Sequence, residues 1–136
     1  MLPILTGKGC YFNRCKFCDI PFINHISRKA YRVRAPETIA ADVRTLAERF
    51  GARHFVITDE ALSPRLLGRL AEALEPDAAA DYRFTGYARL EPGFTPDLCA
   101  RLKTMGLAKV FFGLESGAQR MLDHMDKGVR SSRPKG

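Results

Sequence analysis

Gly7-Lys8-Gly9-Cys10-Tyr11-Phe12-Asn13-Arg14-Cys15-Lys16-Phe17-Cys18-Asp19 is the stretch from which the rest of the chain can be ordered. Three of the four cysteines fall in it, spaced C-x4-C-x2-C, with two glycines ahead of them and Phe17 just before the last. Thiolates are ligands of iron–sulfur clusters and of zinc, and sulfurs this close in sequence let one loop wrap a single metal centre. Three thiolates on a cubane leave one iron open, which suits a cluster that binds a small molecule more than one that only carries electrons. Asp19 or His25 can supply a fourth ligand, so the spacing alone leaves a structural zinc site standing as well. Zinc usually takes paired C-x2-C units or a Cys/His pair farther along, and only one C-x2-C is present here.

Upstream, Leu2 to Thr6 is short and apolar and reads as a buried strand running into the cysteine loop. Downstream, residues 20–35 show no clear period and are expected to be a loop with a brief helical or extended piece. Pro36 then opens a helix on which Ile39, Val43, Leu46 and Phe50 recur at helical spacing, and Gly51 stops it. His54–Thr58 reads as a strand ending at Asp59-Glu60, and Ser63-Pro64 caps a second helix lined by Leu66, Leu67, Leu70 and Leu74. A polar, alanine-rich linker, Asp77 to Asp81, leads to a third strand, Tyr82–Tyr87, with Arg89 and Glu91 at its exit. Thr95-Pro96 caps a third helix expected to turn Leu98, Cys99, Leu102 and Met105 inward, with Gly106 as its stop. Lys109–Gly113 is a fourth strand leading to Leu114-Glu115-Ser116-Gly117, and a fourth helix is expected over Gln119–Asp126.

Strand and helix thus alternate four times, with helices long enough for right-handed crossovers between parallel strands. The fold class is α/β with a parallel sheet. In such sheets ligands gather outside the carboxyl ends of the strands, where the three cysteines, Asp59 and Glu60, Arg89 and Glu91, and Glu115 and Ser116 all emerge. Four units do not close a barrel, since a complete (β/α)8 barrel takes roughly 250 residues. The expectation is a truncated piece with two unpaired sheet edges, open to self-association.

The loop resembles the cluster loop of the radical S-adenosylmethionine (radical SAM) enzymes, whose common pattern is C-x3-C-x2-C with an aromatic before the final cysteine. Here one more residue separates Cys10 from Cys15, a spacing similar to that of a branch often found beside cobalamin-binding domains. The resemblance covers Leu2 to about Gly128. It implies a partial (β/α) barrel of four parallel β/α units, about two-thirds of a (β/α)6 core. It also implies a 4Fe–4S cluster held by Cys10, Cys15 and Cys18, and S-adenosylmethionine cleaved reductively to a 5′-deoxyadenosyl radical. Phe17 stands where the family places an aromatic against the adenine; simple packing over the cluster is the alternative. Glu60 and Asp59 stand where a motif, often Gly-Gly-Glu, holds the methionine amino group, although Thr58-Asp59-Glu60 lacks both glycines. Negative charge at a helix N-terminus is their other reading. Glu115 and Ser116, in Gly-Leu-Glu-Ser-Gly, match the segment that meets the ribose hydroxyls and the methionine. Arg89 is a partner for the methionine carboxylate or for Glu91 in a surface ion pair.

Composition sets the outer bounds. One domain of ordinary globular character is expected, residues 1–128 as the partial core and 129–136 as a basic, disordered tail. The chain has no apolar run of roughly 18 residues to span a membrane and no secretory signal, so reduced thiols and a cytoplasmic setting are expected. The net charge of +7 is uneven: residues 1–34 carry seven lysines and arginines against one acid, Asp19, and the last ten residues carry four and no acid. Such clusters can mark nucleic-acid contact, yet charge without a binding motif is more commonly a solvated surface. The expected partners are a small-molecule or peptide substrate and a reductant protein, with no nucleic acid and no membrane. Cobalamin enters only through a domain outside this chain. Two rival functions remain: a catalytically inactive cluster-binding fragment, and a zinc-bound nucleic-acid module.

Overall fold

The apolar runs at Leu2–Ile4, His54–Ile57, Arg83–Ala88 and Leu107–Phe112 lie side by side in a parallel sheet, in the order in which they occur in the chain. A computed structural model describes residues 1–29 and 31–131. Its elements are β1 (Leu2–Ile4), β2 (Gly7–Gly9), α1 (Ile20–Ile26), β3 (Tyr31–Val33), α2 (Pro36–Phe50) and β4 (His54–Ile57). There follow α3 (Pro64–Ala73), β5 (Arg83–Ala88), α4 (Pro96–Met105), β6 (Leu107–Phe112) and α5 (Gln119–His124), with a 3-10 turn at Glu75–Ala80. No helix among the described residues is long and apolar enough to cross a membrane.

The strand order β1-β4-β5-β6 never doubles back. Right-handed crossovers that always step the same way put every connecting helix on one face. Accordingly α2 packs on α3 and α3 on α4. The result is the parallel α/β sheet that the alternation predicts, consistent with the partial (β/α) barrel that the resemblance implies. Along β5 the helix-facing Phe84, Gly86 and Ala88 are buried, whereas Arg83 and Tyr87 on the other face are exposed. The core lies between sheet and helices: Ile4, Phe55, Ile57 and Phe84 from the strands meet Ile39, Val43, Leu67, Leu70 and Leu102. Phe55 and Phe84 stack with ring centroids 5.6 Å apart.

The helix signals hold. Ser63 Oγ accepts from the Leu66 N–H at 3.1 Å, and Thr95 Oγ1 accepts from the Leu98 N–H at 3.2 Å, each satisfying a donor the helix leaves free. Gly106 ends α4 at φ +100°, with its Cα side against the Tyr82 carbonyl, so only glycine fits.

Other expectations are corrected. Leu2–Thr6 is not one strand running into the loop: β1 stops at Ile4, and Gly7–Gly9 turns away to pair antiparallel with β3. Residues 20–35, expected to be mostly loop, resolve into α1 and β3. Phe50 and Cys99 are exposed; Ala47 takes the inward place on α2, and Leu102 and Met105 carry the buried side of α4. The expected tail begins with Val129, which is buried, and Ser131, whose N–H donates to Gln119 Oε1 at 2.9 Å. Residues 132–136 lie outside the described residues.

Candidate functional site

The four strand exits meet at one end of the arc, and the cysteine loop spans the first of them. Cys10, Cys15 and Cys18 are free and half-buried. Asn13 turns the loop at φ +53°, and the Cys18 N–H donates to the Cys15 carbonyl at 3.3 Å. Three aromatic side chains of the loop each engage a charged group from elsewhere. Tyr11 donates its hydroxyl to Glu91, Phe12 lies beneath the Arg89 guanidinium at 3.5 Å from the ring centroid, and Lys127 Nζ sits 5.2 Å from the Phe17 centroid. Burial, then the bond to Glu91, pushes the Tyr11 phenol far above its ordinary value.

Arg89 is 6% exposed. Its Nη1 lies 3.8 Å from Cys15 Sγ, and its Nη2 donates to the Lys127 carbonyl at 2.6 Å. The surface ion pair with Glu91 is therefore overturned: Arg89 is buried against a cysteine, and Glu91 is bonded to Tyr11.

Lys127 belongs to this site too, although in sequence it counts only among the clustered basic charges of the last ten residues. It is 6% exposed and pairs with Glu115 at 3.1 Å. Glu115 adopts φ +67°, a conformation uncommon outside glycine and often found at functional sites. The turn that carries Lys127 is fastened to the loop at two further points. The Lys16 N–H donates to the Met125 carbonyl at 2.9 Å, and Gly128 lies so close to Phe12 that a Cβ there would sit 2.5 Å from Cζ.

The remaining sequence candidates separate. Asp59 is 3% exposed and turned toward the chain's own backbone, accepting from the Thr6 N–H at 2.8 Å and the Thr6 hydroxyl at 2.5 Å. Burial raises its pKa, and the two Thr6 bonds only partly offset that effect. Glu60, one residue on, is exposed beyond the end of β4. Ser116 Oγ accepts from the Ala118 N–H at 3.1 Å, and Phe17 is half exposed above the loop. Asp19 and His25, the candidate fourth ligands, are exposed at the two ends of α1.

The sequence profile of the radical SAM superfamily matches residues 4–133, which span the loop and all four strand exits. The chain belongs to the radical SAM superfamily. Two curated relatives are similar over nearly the whole chain. The chain is 28% identical to the bacteriochlorophyllide d C-8(2)-methyltransferase of Chlorobaculum tepidum, over 98% of this chain and 30% of that protein. It is 24% identical to an uncharacterised methyltransferase of Pyrococcus horikoshii, over 93% of this chain and 27% of that protein. This radical SAM chain therefore spans less than a third of the length of the curated relatives it matches.

Membership implies a 4Fe–4S cluster and S-adenosylmethionine, and the residues present can be weighed against the cluster. The donor chemistry fits: three unpaired thiols share one loop, with an always-charged guanidinium at Cys15. No three His, Cys, Asp or Glu side chains among the described residues converge closely enough to hold a metal ion. A metal held by all three sulfurs would require the loop to draw them together, which would couple metal binding to local folding.

Proposed function

We propose that the chain is the cluster- and cofactor-binding part of a radical SAM enzyme, with Cys10, Cys15 and Cys18 as the iron ligands. The observation that carries this reading is the cysteine loop itself. Three free, half-buried thiols share the loop that follows β2, with Cys15 beside Arg89 past the end of β5, within a family match that covers nearly the whole chain. When bound, a reduced 4Fe–4S cluster supplies the electron that cleaves S-adenosylmethionine to methionine and a 5′-deoxyadenosyl radical. The protein's part is to bind, orient and shield. Phe17 offers an exposed ring for the adenine. Glu60 presents an exposed carboxylate at the end of β4, suited to an ammonium group. Glu115, held by Lys127, and Ser116 supply acceptors for ribose hydroxyls at the exit of β6. Asp59 acts indirectly, fixing the β1–β2 corner through Thr6.

The names of the two relatives support methyl transfer as the reaction of the protein to which this core belongs. The substrate is a small molecule or a peptide, and a reductant protein supplies electrons. A cytoplasm that keeps thiols reduced suits such a loop. Any cobalamin is held by a domain outside this chain.

The test is anaerobic reconstitution with iron and sulfide, followed by dithionite and S-adenosylmethionine. Iron and sulfide uptake with formation of 5′-deoxyadenosine is expected, and S-adenosylhomocysteine alongside it would mark methyl transfer. Uptake of zinc with refusal of iron overturns the reading. Iron uptake without 5′-deoxyadenosine reduces the chain to an inert cluster-binding fragment.

A further inference from the structure

Arg89 stands where three pieces of chain meet, and one of its groups has no partner. Its Nε is buried and donates to no acceptor, while Nη1 and Nη2 reach Cys15 and the Lys127 carbonyl. Among the described residues no carboxylate pairs with this side chain. A buried cation without a counter-charge is costly. The cysteine loop offers the anion, because metal ligation requires the thiolate form. The guanidinium carbon also lies 3.5 Å from the centroid of the Phe12 ring, and a lysine ammonium cannot cover that ring while donating in the same two fixed directions.

We propose that Arg89 is a positioning residue with two tasks, latching the 125–128 turn against the cysteine loop and holding a fixed positive charge beside Cys15. The charge task rests on the cluster reading above; the latch does not. The latch follows from geometry. Arg89 ties Phe12 to the Lys127 carbonyl, and the Lys16 N–H bond to Met125 and the contact of Gly128 with Phe12 close the same seam. The charge task follows from electrostatics. An electron added to a thiolate-bound cluster makes it more negative, so a nearby cation in a poorly solvated place favours the reduced state.

The two tasks separate in the variants Arg89→Met and Arg89→Lys. In metal-free protein, tryptic cleavage after Lys127 should accelerate about tenfold in both, the equivalent of one lost charge-assisted hydrogen bond. After anaerobic reconstitution, the cluster of Arg89→Met should have a lower midpoint potential by about 59 mV, a tenfold change in a one-electron equilibrium. Arg89→Lys, which keeps the charge, should stay near the wild-type potential. If Arg89→Met loads no iron, a wild-type potential in Arg89→Lys still supports the charge task. A potential in Arg89→Lys shifted as far as predicted for Arg89→Met overturns it, as does an unchanged potential in Arg89→Met. Unchanged cleavage in both variants overturns the latch. Wild-type protein that takes up no iron removes the cluster reading and the charge task with it, while the cleavage measurement still decides the latch.

Discussion

Asp59 and the cysteines show how single residues of one site divide their work. The Asp59 carboxylate is buried, and burial raises its pKa more than the Thr6 bonds lower it. In the unfolded chain it ionises at about pH 4, whereas in the folded chain it holds its proton to higher pH. The folded state therefore binds the proton more tightly, and Asp59 costs stability as pH rises through that window. Asp59→Asn keeps an acceptor for the Thr6 N–H and removes the titration. The stability of the variant relative to wild type should climb from about pH 4 upward and then level off, as measured by urea unfolding across pH. A difference that is flat with pH would sink the assignment. The cysteines make a second prediction. Cys15→Ala should abolish cluster loading, while Cys99→Ala, at an exposed position on α4, should leave iron content unchanged. Equal loss in both would overturn the ligand set. That Cys10, Cys15 and Cys18 share one loop was legible because the grouping lies within nine consecutive residues. Lys127 was not, since a lysine in a basic run looks solvated until Glu115 and Phe17 are seen around it.

Elements were legible where a cap, a period and a stop agreed, as at Ser63-Pro64 with the leucines of α3 and at Thr95-Pro96 with Gly106. β2 and β3 escaped notice for a physical reason. Gly-Lys-Gly has no β-branched or aromatic side chain to declare a strand, and Tyr-Arg-Val is too short to show alternation. The two C-terminal glycine stops look alike in sequence and differ in structure, which yields a paired prediction. Gly51 ends α2 at φ +62°, and a Cβ there would meet nothing within 4 Å, so Gly51→Ala should cost only the left-handed penalty, about 1 kcal/mol. Gly106 has φ +100°, and a Cβ there would lie 1.8 Å from the Tyr82 carbonyl oxygen. Gly106→Ala adds backbone displacement to strain and should cost about 3 kcal/mol or more. Urea midpoints of the two variants test the contrast; equal losses would mean that the α4–β5 approach yields without cost.

At the scale of the whole molecule, the arc was legible because each strand–helix unit repeats the same crossover. The return of the 125–131 segment onto the cysteine loop was not, because Lys16 and Met125 meet across more than a hundred residues with no local signature. Among the described residues the same arc leaves one sheet face without helices. Tyr87 and Phe111 stack there with centroids 5.2 Å apart while 52% and 45% exposed, on adjoining strands of which β6 is an edge. Parallel sheets are ordinarily covered on both faces, and an apolar edge strand invites pairing. The 136-residue chain should therefore self-associate in a concentration-dependent way at micromolar levels. Phe111→Lys should shift it toward monomer, by adding charge to the edge and removing the stacked ring, with helical circular dichroism unchanged because Phe111 is outside the buried core. Sedimentation velocity in reductant, which excludes disulfides through exposed Cys99, makes the comparison. A wild-type chain that stays monomeric would show that the open face is tolerated as it stands. A Phe111→Lys chain that associates as wild type does would move the contact to another surface, and β1 at the opposite edge, with Leu5 exposed beside it, would be the next place to substitute.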